Sequence, residues 1–397
     1  MVNSFIKFKT SSKKLQFGVQ KCKKIHVGKY CEKFKCQTLS VDCWKELEVI
    51  DEETGIGKLE ETCIGEEIME EKSEEKYLGD IISNDGRNLK NIKARVSKGK
   101  GIVSKIMSII DSIPFGNHYF EIGVILRDSL LSSSMLCNSE TWYNITKAEL
   151  NLLETIDVML LRRILKAPKS TPKEMLFLEL GCLPYKEIIK KKRLMFLQYI
   201  LHEDPSSMVH KYFEAQMRNP TPKDWVTTVG NDLKELGMNV NFADIKAMSK
   251  GKFKSMLKLN IKKKAIMELE KKKSKHSKVN HIKHGFLKIQ SYLMPSEMKM
   301  SNEERQLIFK LRSGVTNVKM NTKGMYDDYE CELCGEENET QKHILECKEL
   351  TKNNNSKRNI PNYEKLFTGN VKDKLEIARI FIENIKIRDE IKKSNGN

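Results

Sequence analysis

The most constraining feature of the sequence is a run of metal-ligand residues in its last quarter. Residues 331–347 read CELCGEENETQKHILEC, which spaces Cys331, Cys334, His343 and Cys347 as C-x2-C-x8-H-x3-C. One tight turn can present the first two cysteines to an ion, and one helical turn can aim the histidine and last cysteine at it. Three thiolates and one imidazole complete a tetrahedral zinc set, so the pattern predicts a structural zinc site. The alternative is unrelated cysteines near a surface histidine.

The N-terminal residues and the hydropathy pattern indicate a chain from a reducing compartment. The first residues, MVNSFIKFKT, lack the apolar run of a secretory signal. Clustered cysteines in such compartments bind metal more often than they pair. No uncharged apolar run approaches the roughly 18 residues that cross a bilayer, so we expect no membrane contact. We expect a nuclear or cytoplasmic protein, in which residues 271–278, KKKSKHSK, are either an import signal or a phosphate-binding patch.

The formal net charge of +17 is concentrated in blocks. Residues 1–40 carry ten Lys and Arg against one Glu, and residues 41–76 carry fourteen acidic against four basic side chains. Residues 250–290 then hold fourteen Lys and no Arg against two Glu. Such a basic block predicts contact with nucleic-acid phosphates, although a lysine-rich helix can also be a solvated face. The predicted contacts are Lys262, Lys263, Lys264, Lys271, Lys272, Lys273, Lys275 and Lys278. We place the histidines of the block on the same solvated surface: His276, His281 and His284.

Helical periodicity dominates from about residue 85 to residue 315, which predicts a mainly α fold. Apolar residues recur at helical spacing over 92–110 and 150–164. Thr171 with Glu174, and Ser301 with Glu304, have the spacing of capping boxes that begin helices. Polar connections at 204–221 and 291–300 are the expected joints of a helical array.

The region before this array predicts a small α+β element. Short apolar runs at 15–19 and 23–30 are typical of strands, and Tyr77–Ile82 predicts another. The acidic segment 65–75 has no core-facing stripe, so it predicts a loop or an exposed helix.

Four blocks, in this order along the chain, resemble the C-terminal half of the reverse transcriptase polyprotein of LINE-type, non-long-terminal-repeat retrotransposons. They are KYLGDIISNDGRNLKNIKARV, LRDSLLSSSMLCNSETWYNITKAELNLLETID, RRILKAPKSTPKEMLFLELGCLPYKEIIKKKRLMFL and CELCGEENETQKHILEC. The resemblance covers the chain from about Lys13 to Cys347. It implies the end of a polymerase palm, a helical thumb with its extension, and a C-terminal zinc knuckle.

This resemblance and the composition together suggest five regions. Residues 1–84 are a palm-end remnant with short strands and an acidic insert, and 85–203 a thumb-like helical domain. Residues 204–320 are a helical extension with a basic arm, 321–350 the zinc knuckle, and 351–397 a polar, helical tail.

The catalytic carboxylates of the resembled family have no counterpart that we can identify. Polymerisation there needs adjacent aspartates in a Tyr/Phe-Ala-Asp-Asp turn and a third aspartate upstream, which hold two magnesium ions. That block would lie before Lys21, where too little chain remains, so we expect no catalytic residue. The adjacent aspartates of MYDDY, residues 325–329, lack the residue that should separate them from Tyr326.

The sequence therefore predicts a retrotransposon-derived fragment that binds RNA or DNA through basic helices and a zinc knuckle. One alternative is a component of an RNA-directed DNA polymerase, with Mg²⁺ supplied only when a separately encoded palm chain completes the centre. Another alternative is a helical scaffold that binds proteins.

Overall fold

A computed structural model describes three strand segments, 46–50, 57–64 and 67–68, and then residues 73–395, apart from gaps at 78, 84, 113–117, 296–298, 322–326 and 353–361. The predicted strands at 15–19 and 23–30 lie outside these residues. The chain is mainly helical, as predicted. It divides into two compact units, residues 1–95 and residues 96–397. Among the described helices, none has the length and apolarity needed to cross a membrane.

The strands of the first unit differ from the prediction for this region. β1 (Glu46–Ile50), β2 (Gly57–Ile64) and β3 (Glu67–Ile68) form one antiparallel sheet, and β4 (Glu74–Tyr77) pairs with β5 (Asp80–Ser83) as a hairpin. The single strand predicted over Tyr77–Ile82 is therefore wrong. Gly79, with φ of +92°, reverses the chain between the two strands, which a residue with a side chain rarely does. β3 and the start of β4 also replace part of the predicted acidic loop or helix.

One long helix, α1, carries the chain from the first unit into the second. It spans Leu89–Asp111, and its buried positions include Ile106 and Ile110 of the predicted stripe. Gly99 lies on a buried face, where an added Cβ would lie only 2.8 Å from Met135 Sδ and 2.9 Å from Ile156 Cγ2. This glycine therefore permits close helix packing at that position.

The second unit is a series of helices, and its longest connections are residues 274–301 and 313–340. α2 (Tyr119–Leu126) continues through a π-helical segment, Arg127–Ser132, into a helical turn at Ser133–Met135. The helices are α2 (Tyr119–Leu126), α3 (Lys147–Ile164), α4 (Lys173–Leu180), α5 (Tyr185–His202), α6 (Met208–Arg218), α7 (Trp225–Glu235), α8 (Phe242–Ala247), α9 (Lys250–Lys273), α10 (Asn302–Arg312), α11 (Gln341–Glu346), α12 (Lys348–Lys352), α13 (Lys365–Thr368) and α14 (Val371–Asn395).

Two local predictions for this unit fail and one holds. The connection expected at 204–221 contains α6. The Thr171 capping box is wrong, because α4 begins after Pro172 and makes no side-chain cap there. The Ser301 box is confirmed: its hydroxyl accepts a hydrogen bond from the Glu304 amide, and the Glu304 carboxylate accepts one from the Ser301 amide.

The basic helix, α9, is held in place by a hydrophobic core that it shares with α5 and α7. α9 buries every fourth residue, starting at Phe253 and continuing through Leu257, Ile261, Ala265 and Leu269. Fully burying one such large apolar side chain contributes about 1.5–3 kcal/mol. Residues 250–273 are consequently a packed helix rather than a projecting arm.

Candidate metal centre and basic helix

The backbone between Glu330 and Cys347 folds into a tight turn followed by a short helix. Gly335 donates its amide to the Cys331 carbonyl at 2.8 Å and has φ of +66°, a backbone conformation that favours glycine. Glu330 and Asn338 form a small antiparallel bridge that closes the turn. α11 then begins at Thr340, whose hydroxyl caps the amide of His343. This region, residues 327–350, is called the knuckle below.

The four predicted ligand residues converge on one point. The Sγ atoms of Cys331, Cys334 and Cys347 and a ring nitrogen of His343 all lie within 4.8 Å of one another. Around a tetrahedral zinc ion with Zn–S near 2.3 Å and Zn–N near 2.0 Å, ligand atoms lie roughly 3.5–3.8 Å apart. The spacing of 3.4 Å between Cys334 Sγ and His343 Nε2 agrees with this value. The cluster can therefore hold a metal ion.

Hydrogen bonding orients the His343 ring for this role. Its Nδ1 lies 3.1 Å from the Glu337 carboxylate, so the Nε2 atom is directed towards the three thiols. A carboxylate that fixes the ring in this way is typical of histidines that bind metal, because it sets the tautomer and raises the basicity of the ligating nitrogen.

The thiols of the first two cysteines have different surroundings. Burial raises the pKa of the Cys331 thiol to about 11, against hydrogen bonds from the Cys334 and Leu333 amides. Burial acts in the same direction on Cys334, but amide donors from Glu336 and Glu337 hold the pKa of that thiol below its usual value. Backbone donors thus already favour a thiolate at Cys334.

A buried carboxylate joins the knuckle to the rest of the second unit. Glu339 accepts hydrogen bonds from the Lys319 amide at 3.1 Å and from Arg388 of α14 at 2.8 Å. The Asn384 amide group donates to the Ile344 carbonyl at 2.7 Å, which joins α14 to α11. The position of the knuckle is therefore fixed by specific polar contacts.

The surface of the knuckle is acidic. Residues 327–349 contain nine Asp and Glu against two Lys. Glu332, Glu336, Glu337 and Glu346 are all exposed or half-buried. A phosphate backbone would be repelled here, so the cluster is better suited to holding the fold than to contacting a polyanion.

The predicted lysine contacts divide into an exposed and an unexposed group. Lys263, Lys271, Lys272, Lys275 and Lys278 are exposed, and Lys262 and Lys264 are half-buried. Lys273 is fully buried: its ammonium pairs with Glu270 at 2.9 Å and also donates to the Ile282 carbonyl. The prediction that Lys273 contacts phosphate is therefore wrong, because its position continues the buried stripe of α9.

His284 also lies in the interior, which corrects its predicted place on the surface. Its Nε2 is 3.1 Å from the Glu179 carboxylate and its Nδ1 is 2.9 Å from Glu270. Glu179 is fully buried and accepts further hydrogen bonds from Tyr292 at 2.7 Å and Arg312 at 2.9 Å. These four residues, Glu179, His284, Tyr292 and Arg312, are called the Glu179 cluster.

Arg312 compensates the charge of the buried Glu179 carboxylate. Burial alone would raise the pKa of the Glu179 carboxyl, but the Arg312 guanidinium and His284 bring it down to about 2. The adjoining backbone is equally constrained: a Cβ on Gly181 would lie 2.3 Å from the Lys288 carbonyl carbon, and Leu180 bridges Ile289. The cluster therefore holds α4 against the segment that follows α9.

The exposed histidines and one aromatic residue complete the surface of the basic region. His276 is exposed, and the exposed ring of His281 meets Phe367 edge-on at 4.5 Å. Phe286 is 73% exposed and lies between Lys283 and Lys288 in sequence. Sequence reasoning missed Phe286; an aromatic residue in a basic segment was the available signal.

The adjacent aspartates of the MYDDY segment belong to no metal-type cluster among the described residues. Asp327 and Asp328 are exposed, and Tyr326 lies outside the described residues. Within the described part of the chain, the metal-type cluster is the set of three cysteines and His343.

No protein-family profile, curated protein sequence or solved structure matches the chain.

Proposed function

We propose that the chain is a nucleic-acid-binding protein whose phosphate contacts come from α9 and the segment after it. The observation that carries the proposal is the arrangement of charge on this helix. Its buried stripe packs into the core, while Lys263, Lys271, Lys272 and Lys275 remain exposed. Within the described residues, none of these four ammonium groups forms an ion pair. Unpaired cations grouped on a packed helix and the residues that follow it are what a polyanion requires.

An exposed aromatic side chain adds a second kind of contact. Phe286 presents most of its ring to solvent in a segment that also exposes Lys283 and Lys288. Stacking of an unpaired base on such a ring contributes about 1–3 kcal/mol and tolerates any base. Single-stranded RNA or DNA is therefore the favoured ligand.

The metal in this proposal is zinc, and its role is structural. Three thiolates and an imidazole are the ligand set that zinc prefers, and they leave no position for substrate or water. The acidic surface of the knuckle separates this role from nucleic-acid contact. We infer that zinc orders residues 327–350, which hold α14 through Glu339 and Arg388.

The resemblance to the C-terminal half of LINE-type reverse transcriptases supports the choice of polyanion. That region is thought to help grip template RNA or target DNA, and the proposal assigns binding of this kind to the chain without a polymerase reaction. The four blocks that carry the resemblance include α4, α5 and the knuckle, whereas the lysine-rich helix lies between them.

A fluorescence-anisotropy titration across salt concentrations tests the proposal. The ligands are a structured RNA, single-stranded DNA and duplex DNA. If six basic residues engage a single strand, log affinity should fall against log salt with a slope of about −4. Replacing Lys271, Lys272 and Lys275 together by Gln should bring that slope about 2 closer to zero.

A matched variant controls for net charge. Lys223, Lys234 and Lys246 are exposed lysines outside this surface, and replacing all three by Gln removes the same charge. We expect this variant to bind within about twofold of the parent, since general charge contributes less than direct phosphate contacts. An affinity that does not respond to salt, or equal losses in both variants, would contradict the proposal.

A further inference from the structure

A cleft of about 570 Å³ opens in the second unit, and none of its lining residues belongs to α9 or the segment after it. It is bounded by the segment after α3, by α10, by the loop that follows α10, and by α14. Its walls are largely apolar and include Leu307, Val315, Phe381, Ile382 and Ile385. Sites that bind small organic groups typically have volumes of about 300–1,000 Å³ and apolar walls of this kind.

All the charged residues that line this cleft are positive. Lys166, Lys310 and Lys386 line it, each from a different element, and no Asp or Glu is among the lining residues. Within the described residues, none of the three ammonium groups forms an ion pair. Partial burial of Lys310, with the neighbouring charge of Lys166, lowers the pKa of its ammonium group. A bound anion would compensate these charges.

The walls of the cleft are held in place by hydrogen bonds on both sides. Gln306 of α10 donates to the Ile164 carbonyl at the end of α3, at 3.0 Å. Thr316 accepts from the side-chain amide of Gln341 at 2.6 Å, and Gln341 lies two residues before the metal-ligand candidate His343. The cleft is therefore preformed, and the knuckle supports one of its walls.

We propose that this cleft is a subsite for one unpaired nucleotide, with the base against the apolar walls and a phosphate among Lys166, Lys310 and Lys386. The subsite deepens the proposed nucleic-acid binding and rests on it for its natural ligand. Lysine presents a compact charge that suits a phosphate, and an apolar wall suits the face of a base.

The geometry favours a nucleotide over an acidic peptide. A docked peptide helix needs a groove long enough for anchors at positions i, i+3 or i+4, and i+7. Here four segments of the chain surround one concave space, and the three lysines come from three of these segments. A single compact group that is apolar at one end and anionic at the other matches this shape.

The first experiment maps the ligand with an oligonucleotide that contains 4-thiouridine. After irradiation, mass spectrometry identifies the cross-linked peptides of the full chain. We expect cross-links in 302–317 or 371–386 in addition to the surface of α9. The Lys310→Gln, Lys386→Gln double variant should lose these cross-links and bind about tenfold more weakly. Lys372→Gln is the control, because this exposed lysine lies on the same helix outside the cleft.

The second experiment does not depend on polynucleotide binding. Methyl-labelled isoleucine spectra are recorded with adenosine 5′-monophosphate, with adenosine, and with inorganic phosphate. We expect the monophosphate to shift the Ile382 and Ile385 signals at lower concentration than adenosine does, and phosphate alone to shift them little. The double variant should lose this difference between monophosphate and adenosine.

The outcomes separate the subsite from the wider proposal. Oligonucleotide binding with cross-links confined to α9, and no methyl shifts, would overturn the subsite and leave the proposed function standing. Methyl shifts without oligonucleotide binding would support the subsite and contradict the wider function. If a leucine- and glutamate-rich peptide shifts these methyl groups and the monophosphate does not, the cleft binds protein and the nucleotide assignment is wrong.

Discussion

The Glu179 cluster places three side chains around a central carboxylate, and the knuckle brings four candidate ligand side chains together, but the two centres differ in what completes them. In the cluster, the carboxylate of Glu179 is part of the chain, and its partners lie 105 to 133 residues away. In the knuckle, the candidate ligand residues lie within 17 positions, and the proposed centre is a metal ion that the chain itself does not supply. The Glu179 cluster is therefore complete on folding, whereas the proposed zinc site of the knuckle would need an added ion.

Removal of metal should give the largest difference between the two regions. Structural zinc supplies on the order of 10 kcal/mol to a small segment, so Cys331→Ser should unfold residues 327–350. Hydrogen exchange should show lost protection in α11 and retained protection in α5. Cys137→Ser is the control, because Cys137 is exposed and outside the cluster. Loss of protection throughout the second unit would show that the regions are not separable.

Removal of one partner from the Glu179 cluster should have the next largest effect. Arg312→Met leaves a buried carboxylate without its guanidinium, which typically costs about 3–5 kcal/mol. Urea denaturation would measure this loss as a lower free energy of unfolding for the part of the second unit outside the knuckle. Arg379→Met is the matched control, since Arg379 pairs with Glu304 at an exposed position and should cost less than about 1 kcal/mol. Equal losses of unfolding free energy in the two variants would contradict the conclusion that burial makes the Arg312–Glu179 pair the more important one.

The acid stability of the protein should also reflect Glu179. The pKa of its carboxyl is about 2 in the folded chain, below an ordinary value of 4.5. A lowered folded pKa stabilises the fold above the unfolded pKa, and this contribution is lost as pH falls from about 5 towards 2. A shift of this size corresponds to about 3 kcal/mol. Glu179→Gln should flatten this part of the stability curve; an unchanged curve would contradict the assignment.

The smallest expected effects come from two helix-capping residues, one in each region. Ser301 caps α10 in the helical body, and Thr340 caps α11 in the knuckle. Either residue replaced by Ala should cost about 1 kcal/mol. Ser301→Ala should lower the free energy of unfolding, whereas Thr340→Ala should mainly weaken zinc affinity, by about fivefold, in a chelator competition. Thr340→Ala that lowers global stability without changing zinc affinity would contradict this division.

The sequence distance between residues that meet in the fold explains which features could be predicted from the sequence. The ligand residues of the knuckle are close in sequence, so their spacing alone indicates the site. Helical periodicity likewise identified α1 and α3, because each apolar stripe is a local pattern. The β4–β5 hairpin was misread as one strand because Gly79 was not interpreted as a turn.

Burial of charged residues was the main failure of sequence reasoning. Lys273 lies four residues after Leu269, so the period of the α9 stripe was a usable signal for its burial. His284 offered no such signal, since its partner Glu179 is 105 residues away and the pairing depends on tertiary packing. The hydrogen bond from Gln306 of α10 to the Ile164 carbonyl could not be predicted either, because the two residues are 142 positions apart.

The distances in sequence across the Glu179 cluster also set an order of events during synthesis. Glu179 meets Arg312 only after 133 further residues have been added. At typical rates of about 5–20 residues per second, this interval lasts roughly 7–27 s. During this time the ribosome-bound chain lacks the guanidinium that pairs with Glu179. The body of the second unit therefore completes its fold late in translation, and chaperones have that interval in which to bind its apolar helices.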